Sequence, residues 1–315
     1  MTEPKHVLIV FNPKAGAADR RDLLNSLQGR LGEMGLDVEL VVDLENLKSR
    51  AAELGRAGKL RLVVSAGGDG TLAAVAERTS PETCLAVFPL GTENLMGKWL
   101  GASSDLVRFC AAVRANRTRV IDVATANGRL ALITIGVGFD AEVVRRVHTQ
   151  RRGHISKWTY AWPIWATFCS FRFPRFRVEI EGWNPVDPRS PNSLPSGVSD
   201  LEPVEARHWT APWVFVANLP LYAGGLSLIP HALPTDGKLD VATLSGTGRI
   251  RGLFYALWIA LRRHVYLRDF EAFRATAIRI SADLPAGYQL DGDYGGPLPL
   301  EIQVQPHRLK LLEFA

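Results

Sequence analysis

One acid set among glycines is the first feature of this chain that could do chemistry. Asp69 stands in Gly67-Gly68-Asp69-Gly70-Thr71-Leu72, between the apolar run Leu62-Val63-Val64 and an alanine-rich stretch with helical spacing. Glycines there free the backbone to approach a ligand closely. Amides at a strand-to-helix junction point outward at the helix N-terminus, where phosphate binds readily. A carboxylate beside bound phosphates is repelled unless a divalent cation, or a proton to be moved, lies between. The segment therefore points to metal-assisted chemistry on a phosphorylated ligand. An ordinary glycine-rich turn would use the same residues. Two other polar, glycine-bearing loops follow apolar runs: Asn12-Pro13-Lys14-Ala15-Gly16 and Pro89-Leu90-Gly91-Thr92-Glu93-Asn94. Acids also bracket glycine in Asp236-Gly237-Lys238-Leu239-Asp240 and Asp291-Gly292-Asp293.

The elements that must position these loops follow from periodicity. Val7–Phe11, Leu36–Val42, Leu60–Ser65 and Leu85–Phe88 read as strands, with helical spacing over Arg20–Met34, Leu44–Ala57, Leu95–Leu100 and Asp105–Asn116. Strands alternating with helices predict a doubly wound parallel sheet, whose ligands bind beyond the carboxyl ends of the strands. The three loops fall at that edge together. Near Arg119 the pattern changes. Val120–Thr125 and Leu130–Gly136 flank Asn127-Gly128 as a hairpin would. Gly136–Glu142 opens a short helix to about Val147, and Phe176–Glu181, Trp213–Ala217, Val241–Leu244, Ala277–Ala282, Gln289–Leu290 and Leu300–Gln305 read as strands. Arg249–Leu267 predicts an amphipathic helix, and Trp183–His208, rich in Pro, Ser, Asn and Asp, a surface excursion. A β-rich second domain is the expectation.

Composition narrows the class. The 315 residues carry a net charge of +5 and are 47% hydrophobic, which suits a globular chain with a sizeable core. From Arg145 to Arg177 there are eight Lys or Arg and no acid, which implies an anionic partner. The three cysteines, Cys84, Cys110 and Cys169, have no metal-ligand spacing and do not suit a disulfide scaffold. Met1–His6 runs straight into a strand without a signal-peptide pattern, and the apolar runs Trp158–Phe171 and Leu253–Leu261 are too short or too interrupted to span a bilayer. The expected location is cytoplasmic, with peripheral contact at the inner face of the membrane.

Taken in order, Asn12–Gly16, Gly67–Thr71, Pro89–Asn94, Gly136–Ala141, Gly224-Gly225 with Pro230, Asp236–Asp240 and Asp291–Asp293 make the chain similar to the catalytic family of diacylglycerol kinase-like lipid kinases. That family includes bacterial diacylglycerol kinases and the sphingosine and ceramide kinases. The resemblance implies an α/β nucleotide domain over residues 1–119, a β-rich, antiparallel, sandwich-like acceptor domain over 120–305, and an active site in the cleft between them. Residues 306–315 would pack back on the first domain.

It also implies the roles. ATP phosphates would meet Asn12, Lys14, Gly16, Gly67, Gly68, Asp69, Gly70, Thr71 and Leu72, with Thr92 and Asn94 completing the pocket. Asp69 would hold a catalytic Mg²⁺, directly or through water. Asp293, where the family usually has Glu, would be the general base for the lipid hydroxyl, although Asp291-Gly292-Asp293 also suits a plain hairpin turn. Asp236, with the carbonyls of Leu233 and Lys238, would bind a second, structural Mg²⁺, while a polar turn with solvated acids is the alternative. Relatives with diacylglycerol-type substrates commonly carry Asp directly after this Asn; here the residue is Leu95, and sphingosine-type kinases lack the Asp too.

The partners implied are ATP, a lipid alcohol and an anionic membrane surface, with no nucleic acid, and a homodimer is compatible. The membrane contact is expected at Gln150–Arg177, where aromatic rings favour the interface and each basic residue contributes about 1 kcal/mol; aromatics packed in the core with the arginines as a solvated rim are the equal alternative. Arg249–Arg263 reads as core packing, with an interfacial face as the alternative. The rival functions are an NAD kinase, and a lipid- or nucleotide-binding regulator with a degenerate kinase site.

Overall fold

Short β-branched and leucine-rich strands in the first ninety residues pair in parallel because each is followed by a helix that must cross back over the sheet. The computed structural model describes residues 3–11, 19–149, 161–187, 189 and 207–314. Its contacts divide the chain into Met1–Ile121 with His307–Ala315, and Asp122–Pro306.

In the first unit the order is β1 (His6–Phe11), α1 (Asp19–Glu33), β2 (Asp37–Val41), α2 (Leu44–Arg56), β3 (Leu60–Gly67), α3 (Asp69–Arg78), β4 (Cys84–Pro89), α4 (Leu95–Leu100) and α5 (Leu106–Ala115). The strands lie as β4-β3-β1-β2, all parallel. Leu24, Leu27 and Leu31 recur at helical spacing and bury one face of α1 with Val7, Ile9, Leu62 and Val64. Asp43 caps α2 through the Glu45 and Asn46 amides, and Asp105 caps α5 through the Arg108 amide, satisfying donors that a helix start leaves open. The end of the chain joins this unit. Lys310 and Leu311 pair in parallel with Cys84 and Leu85, Leu312 is buried in the core, and the Phe314 ring lies 5.7 Å from that of Phe109.

Strand β5 (Thr118–Ala126) begins in the first unit and runs into the second, where it meets β6 (Arg129–Ala131) through Asn127 and Gly128, both at positive φ as this tight turn requires. Then come β7 (Thr134–Val137), α6 (Phe139–Thr149), α7 (Ala161–Ser170), β8 (Phe176–Glu181), β9 (Asn184–Pro185), β10 (Arg207–Ala211), β11 (Trp213–Ala217), β12 (Leu239–Leu244), α8 (Arg249–Ala260), β13 (Phe270–Ala275), β14 (Ala277–Ala282), β15 (Gly287–Leu290), β16 (Asp293–Pro297) and β17 (Leu300–Leu312). One antiparallel sheet runs β10-β8-β14-β17, with β5 on β17; the other runs β16-β15-β7-β11-β12-β13-β9. Alternate residues of β8 and β14, such as Val178, Ile180, Ile278 and Ile280, share a core with Ile135, Val137, Val214, Val216 and Val241.

Several expectations change. The helix predicted to Leu267 ends at Ala260, because Arg262 takes a left-handed φ of 55° and the buried His264 then opens a 3-10 turn, its Nε2 2.8 Å from the Leu228 carbonyl. Strand β13 was not expected; β9 lies inside the predicted surface excursion and β10 begins at its end, while residues 188 and 190–206 of it fall outside the described residues. The final strand extends well beyond Gln305.

Candidate active site

At the carboxyl end of β3, two of the expected loops meet. Leu90 N–H donates to the Gly67 carbonyl at 3.0 Å, and a Cβ on Gly91 would stand 2.5 Å from the Gly68 Cα. Only glycine permits that approach. Asp69 fixes the arrangement: its Oδ2 accepts the Leu95 N–H at 2.9 Å and its Oδ1 accepts the Met96 N–H at 3.0 Å. Those are the first amides of α4, whose own cap residue, Asn94, makes no side-chain cap bond. Asp69 therefore caps α4 from across the loop, complementing the positive helix start. Burial pushes its carboxyl above the usual range, and the two amides oppose that shift.

Three residues expected at the phosphates are committed elsewhere. Asn94 closes its own loop, accepting the Gly91 N–H at 2.9 Å and donating to the Gly91 carbonyl at 2.8 Å. Thr71 and Leu72 both donate their N–H to the Gly68 carbonyl, and the Leu72 side chain is in the core. At this helix start the amides left without an intrahelical partner are those of Asp69 and Gly70. Gly70 and Thr92 are exposed. Asn12, Lys14 and Gly16 lie outside the described residues. A cavity of about 990 Å³ in this unit opens at the other end of β3 and β4, beside Leu60 and Cys84, and includes none of the expected site residues.

In the second unit, Asp293 begins β16, directly after a tight turn in which Asp291 and Gly292 have φ of 51° and 89°. The turn is held rigidly. The Asp291 carboxylate accepts the N–H groups of Leu132, Ile133 and Thr134 at 2.7–2.9 Å. Gln289 accepts the Gly292 N–H at 2.7 Å and donates to the partly buried Asp140, which also accepts a hydrogen bond from the Tyr222 hydroxyl. Burial raises the Asp140 carboxyl above its ordinary range. Asp293 itself remains about half exposed, with His148 Nε2 of α6 at 3.3 Å. His148, Tyr222 and Gln289 were missed from the sequence. Nothing local marks them, since each acquires its role through a partner more than eighty residues away.

The Asp236–Asp240 loop is also assembled, but around a different cation. Arg274 of β13 places Nε 3.3 Å from Asp236 Oδ2 and 3.1 Å from Asp240 Oδ1. Asp236 Oδ1 accepts the Lys238 N–H, Asp240 Oδ2 accepts the Leu233 N–H, and the buried Asp122 accepts the Gly237 N–H at 2.7 Å. Burial pushes the Asp240 carboxyl up to about 6, against the pull of Arg274. Asp236 shifts in the same direction, first through burial.

The two expected metal positions differ in fit. A divalent ion at Asp236, with the carbonyls of Leu233 and Lys238, would share its one carboxylate with a guanidinium and be repelled by it, so this donor set does not fit. Asp69 fits a hydrated Mg²⁺ carried in by a nucleotide, because each oxygen keeps a lone pair beyond its amide bond. Among the described residues no cluster of three or more His, Cys, Asp or Glu could hold a metal by itself.

Comparison with known proteins adds the family context. The model for "Diacylglycerol kinase catalytic domain" matches residues 6–126, and that for "YegS C-terminal NAD kinase beta sandwich-like domain" matches residues 133–313. A diacylglycerol kinase of Mycobacterium tuberculosis is 24% identical over 97% of this chain and 94% of its own length. A crystal structure of a diacylglycerol kinase from Bacillus anthracis aligns with a TM-score of 0.63 at 19% identity, covering 98% of this chain and 96% of that one. An NAD kinase from Archaeoglobus fulgidus, solved with ATP, aligns with a TM-score of 0.50 at 14% identity, covering 98% and 94%; at that identity the likeness is one of fold.

Proposed function

The chain belongs to the family of diacylglycerol kinase-like lipid kinases, and from that premise we propose that it transfers the γ-phosphoryl group of ATP to the hydroxyl of diacylglycerol or a related lipid alcohol. The observation that carries the reading is the junction of Gly67–Gly70 with Gly91, locked by Asp69. Open amides at a helix start and a close-packed glycine backbone suit polyphosphate.

Phosphoryl transfer asks the protein mainly for positioning and charge neutralisation. The Asp69 and Gly70 amides bind phosphate oxygens, joined in this reading by Asn12, Lys14 and Gly16. Asp69 would hold the hydrated Mg²⁺ that accompanies the nucleotide, and that ion would supply charge neutralisation at the phosphates. Asp293 accepts the proton of the lipid hydroxyl as its oxygen bonds to the γ-phosphorus and the bond to ADP breaks. His148, at 3.3 Å, holds the carboxylate in place.

Incubation with γ-labelled ATP and Mg²⁺ against diacylglycerols, other lipid alcohols, prenols and dinucleotides tests this. Label in a lipid product is expected. Label in NADP would overturn it in favour of a dinucleotide kinase, and label in no acceptor in favour of a binding protein.

A further inference from the structure

Helix α8 has two opposite faces, and both are apolar. On the inner face Gly252 and Tyr255 are buried. A Cβ on Gly252 would stand 3.0 Å from Trp213 and 3.3 Å from Phe168 and Phe173, so the missing side chain lets the helix lie on that aromatic cluster. The Tyr255 hydroxyl accepts the Gly246 N–H and donates to Asp269, and Arg251 pairs with Asp269 at 2.8 Å. The outer face carries Ile250, Leu253, Leu257 and Leu261, exposed by 89%, 61%, 56% and 58%. They are three or four residues apart, which makes one stripe. Helix α7 packs against α8 and adds the exposed Trp162 and Trp165. A solvated helix face is ordinarily polar, and an apolar patch of this kind marks a docking surface.

Charge identifies the occupant. Val241–Arg268 contains no Asp or Glu and carries exposed Arg249, Arg262, Arg263 and Arg268. Residues 161–175, which include α7, also lack acids and end in the exposed Arg172 and Arg175. A second copy meeting this patch across a two-fold axis would set arginine against arginine, the one acid described beside the helix, Asp269, being already held by Arg251 and Tyr255. An anionic lipid surface offers both what the stripe and what the arginines require.

We propose that the α7–α8 face seats the protein on an anionic bilayer, with α8 lying in the plane of the interface. Ile250, Leu253, Leu257 and Leu261 enter the boundary between headgroups and acyl chains, Trp162 and Trp165 lie at headgroup depth, and the arginines meet phosphates. This rests on the lipid kinase reading, and adds the surface through which the acceptor is reached.

Flotation with phosphatidylcholine vesicles, with and without phosphatidylglycerol, tests it. The wild-type protein is expected to float with the anionic vesicles at low salt and to be released as salt rises. A Leu253→Asp/Leu257→Asp variant should bind at least about tenfold more weakly with an unchanged melting temperature, since both side chains face solvent. A Leu253→Ser/Leu257→Ser variant repeats the measurement without added charge. Wild-type binding by both variants would overturn the proposal, and so would absence of wild-type flotation. A concentration-dependent dimer abolished by these changes, without vesicle binding, would also overturn it in favour of pairing between copies. Phosphorylation of a short-chain, water-soluble diacylglycerol separates the two readings. Activity there without flotation removes the docking face alone. Flotation without any lipid product removes the kinase reading and leaves the docking face standing.

Discussion

A carboxylate whose two oxygens each hold a backbone N–H cannot reorient without releasing a helix start, and Asp69 is in that position. Leu95, directly after Asn94, buries its side chain and gives its amide to Asp69. The acid at this corner is thus supplied from β3's loop rather than from α4. Asp293 is argued differently, since it stays half exposed beside His148. Asp293→Asn keeps the shape and removes the proton acceptor, so kcat for lipid phosphorylation should fall by roughly 10²–10⁴ with little change in the KM for ATP. Steady-state kinetics on a lipid panel would show this, and an unchanged kcat would remove Asp293 from the mechanism. Asp240 gives a pH test. Its folded pKa of about 6 lies above the ordinary 3.8, so the native state binds the extra proton between those values. Its contribution is present below the unfolded pKa and is lost as pH rises through about 6. Relative to Asp240→Asn, the wild type should gain up to about 3 kcal/mol in urea denaturation as pH falls from 7 to 4.

At the level of elements, the β15–β16 turn depends on one side chain. Asp291→Ala would leave the amides of Leu132, Ile133 and Thr134 without their acceptor, and a stability loss of about 2–4 kcal/mol should appear in denaturant melts, with kcat falling in parallel. The parallel strands of the first unit were legible because each is a short apolar run ending in glycine or a polar turn. Strand β14 was legible from the alternation of Ile278 and Ile280. Strand β13 was not, because Arg274 breaks its apolar pattern and is buried only through Asp236 and Asp240, which lie more than thirty residues earlier. The outer face of α8 was hidden for another reason. Arginines at both ends made the segment read as amphipathic, but between Gly252 and Leu261 it is apolar all round, so periodicity did not say which side met Trp213 and which met solvent, and core packing was the wrong choice for Ile250, Leu253 and Leu257. In the glycine loops the residue types were readable, but the commitment of Asn94, Thr71 and Leu72 to local bonds depends on turn geometry.

For the whole molecule, the two units are recorded unequally in the sequence. Order of motifs made the family legible, and contacts between distant segments, such as Tyr222 with Asp140 or His148 with Asp293, did not show in it. No helix among the described residues is long and apolar enough to cross a membrane. A chain ending at Pro306 would strip Leu309, Leu311, Leu312 and Phe314 from the first unit and open the edge of β4. Hydrogen exchange should then show β4 and α5 losing protection while β11 and β12 keep theirs; equal protection throughout would count against the two-unit division. The strand Leu300–Leu312 has a further consequence for how the protein is made. Its last residues complete a unit begun at the other end of the chain. A ribosome adding about 5–20 residues per second leaves that first unit unfinished for roughly 10–40 s, while Asp122–Pro306 emerges and folds. Emergence of Leu309–Leu312, rather than of the first ninety residues, becomes the event that seals it, so a chain interrupted before that strand exposes an open sheet edge to chaperones and proteases.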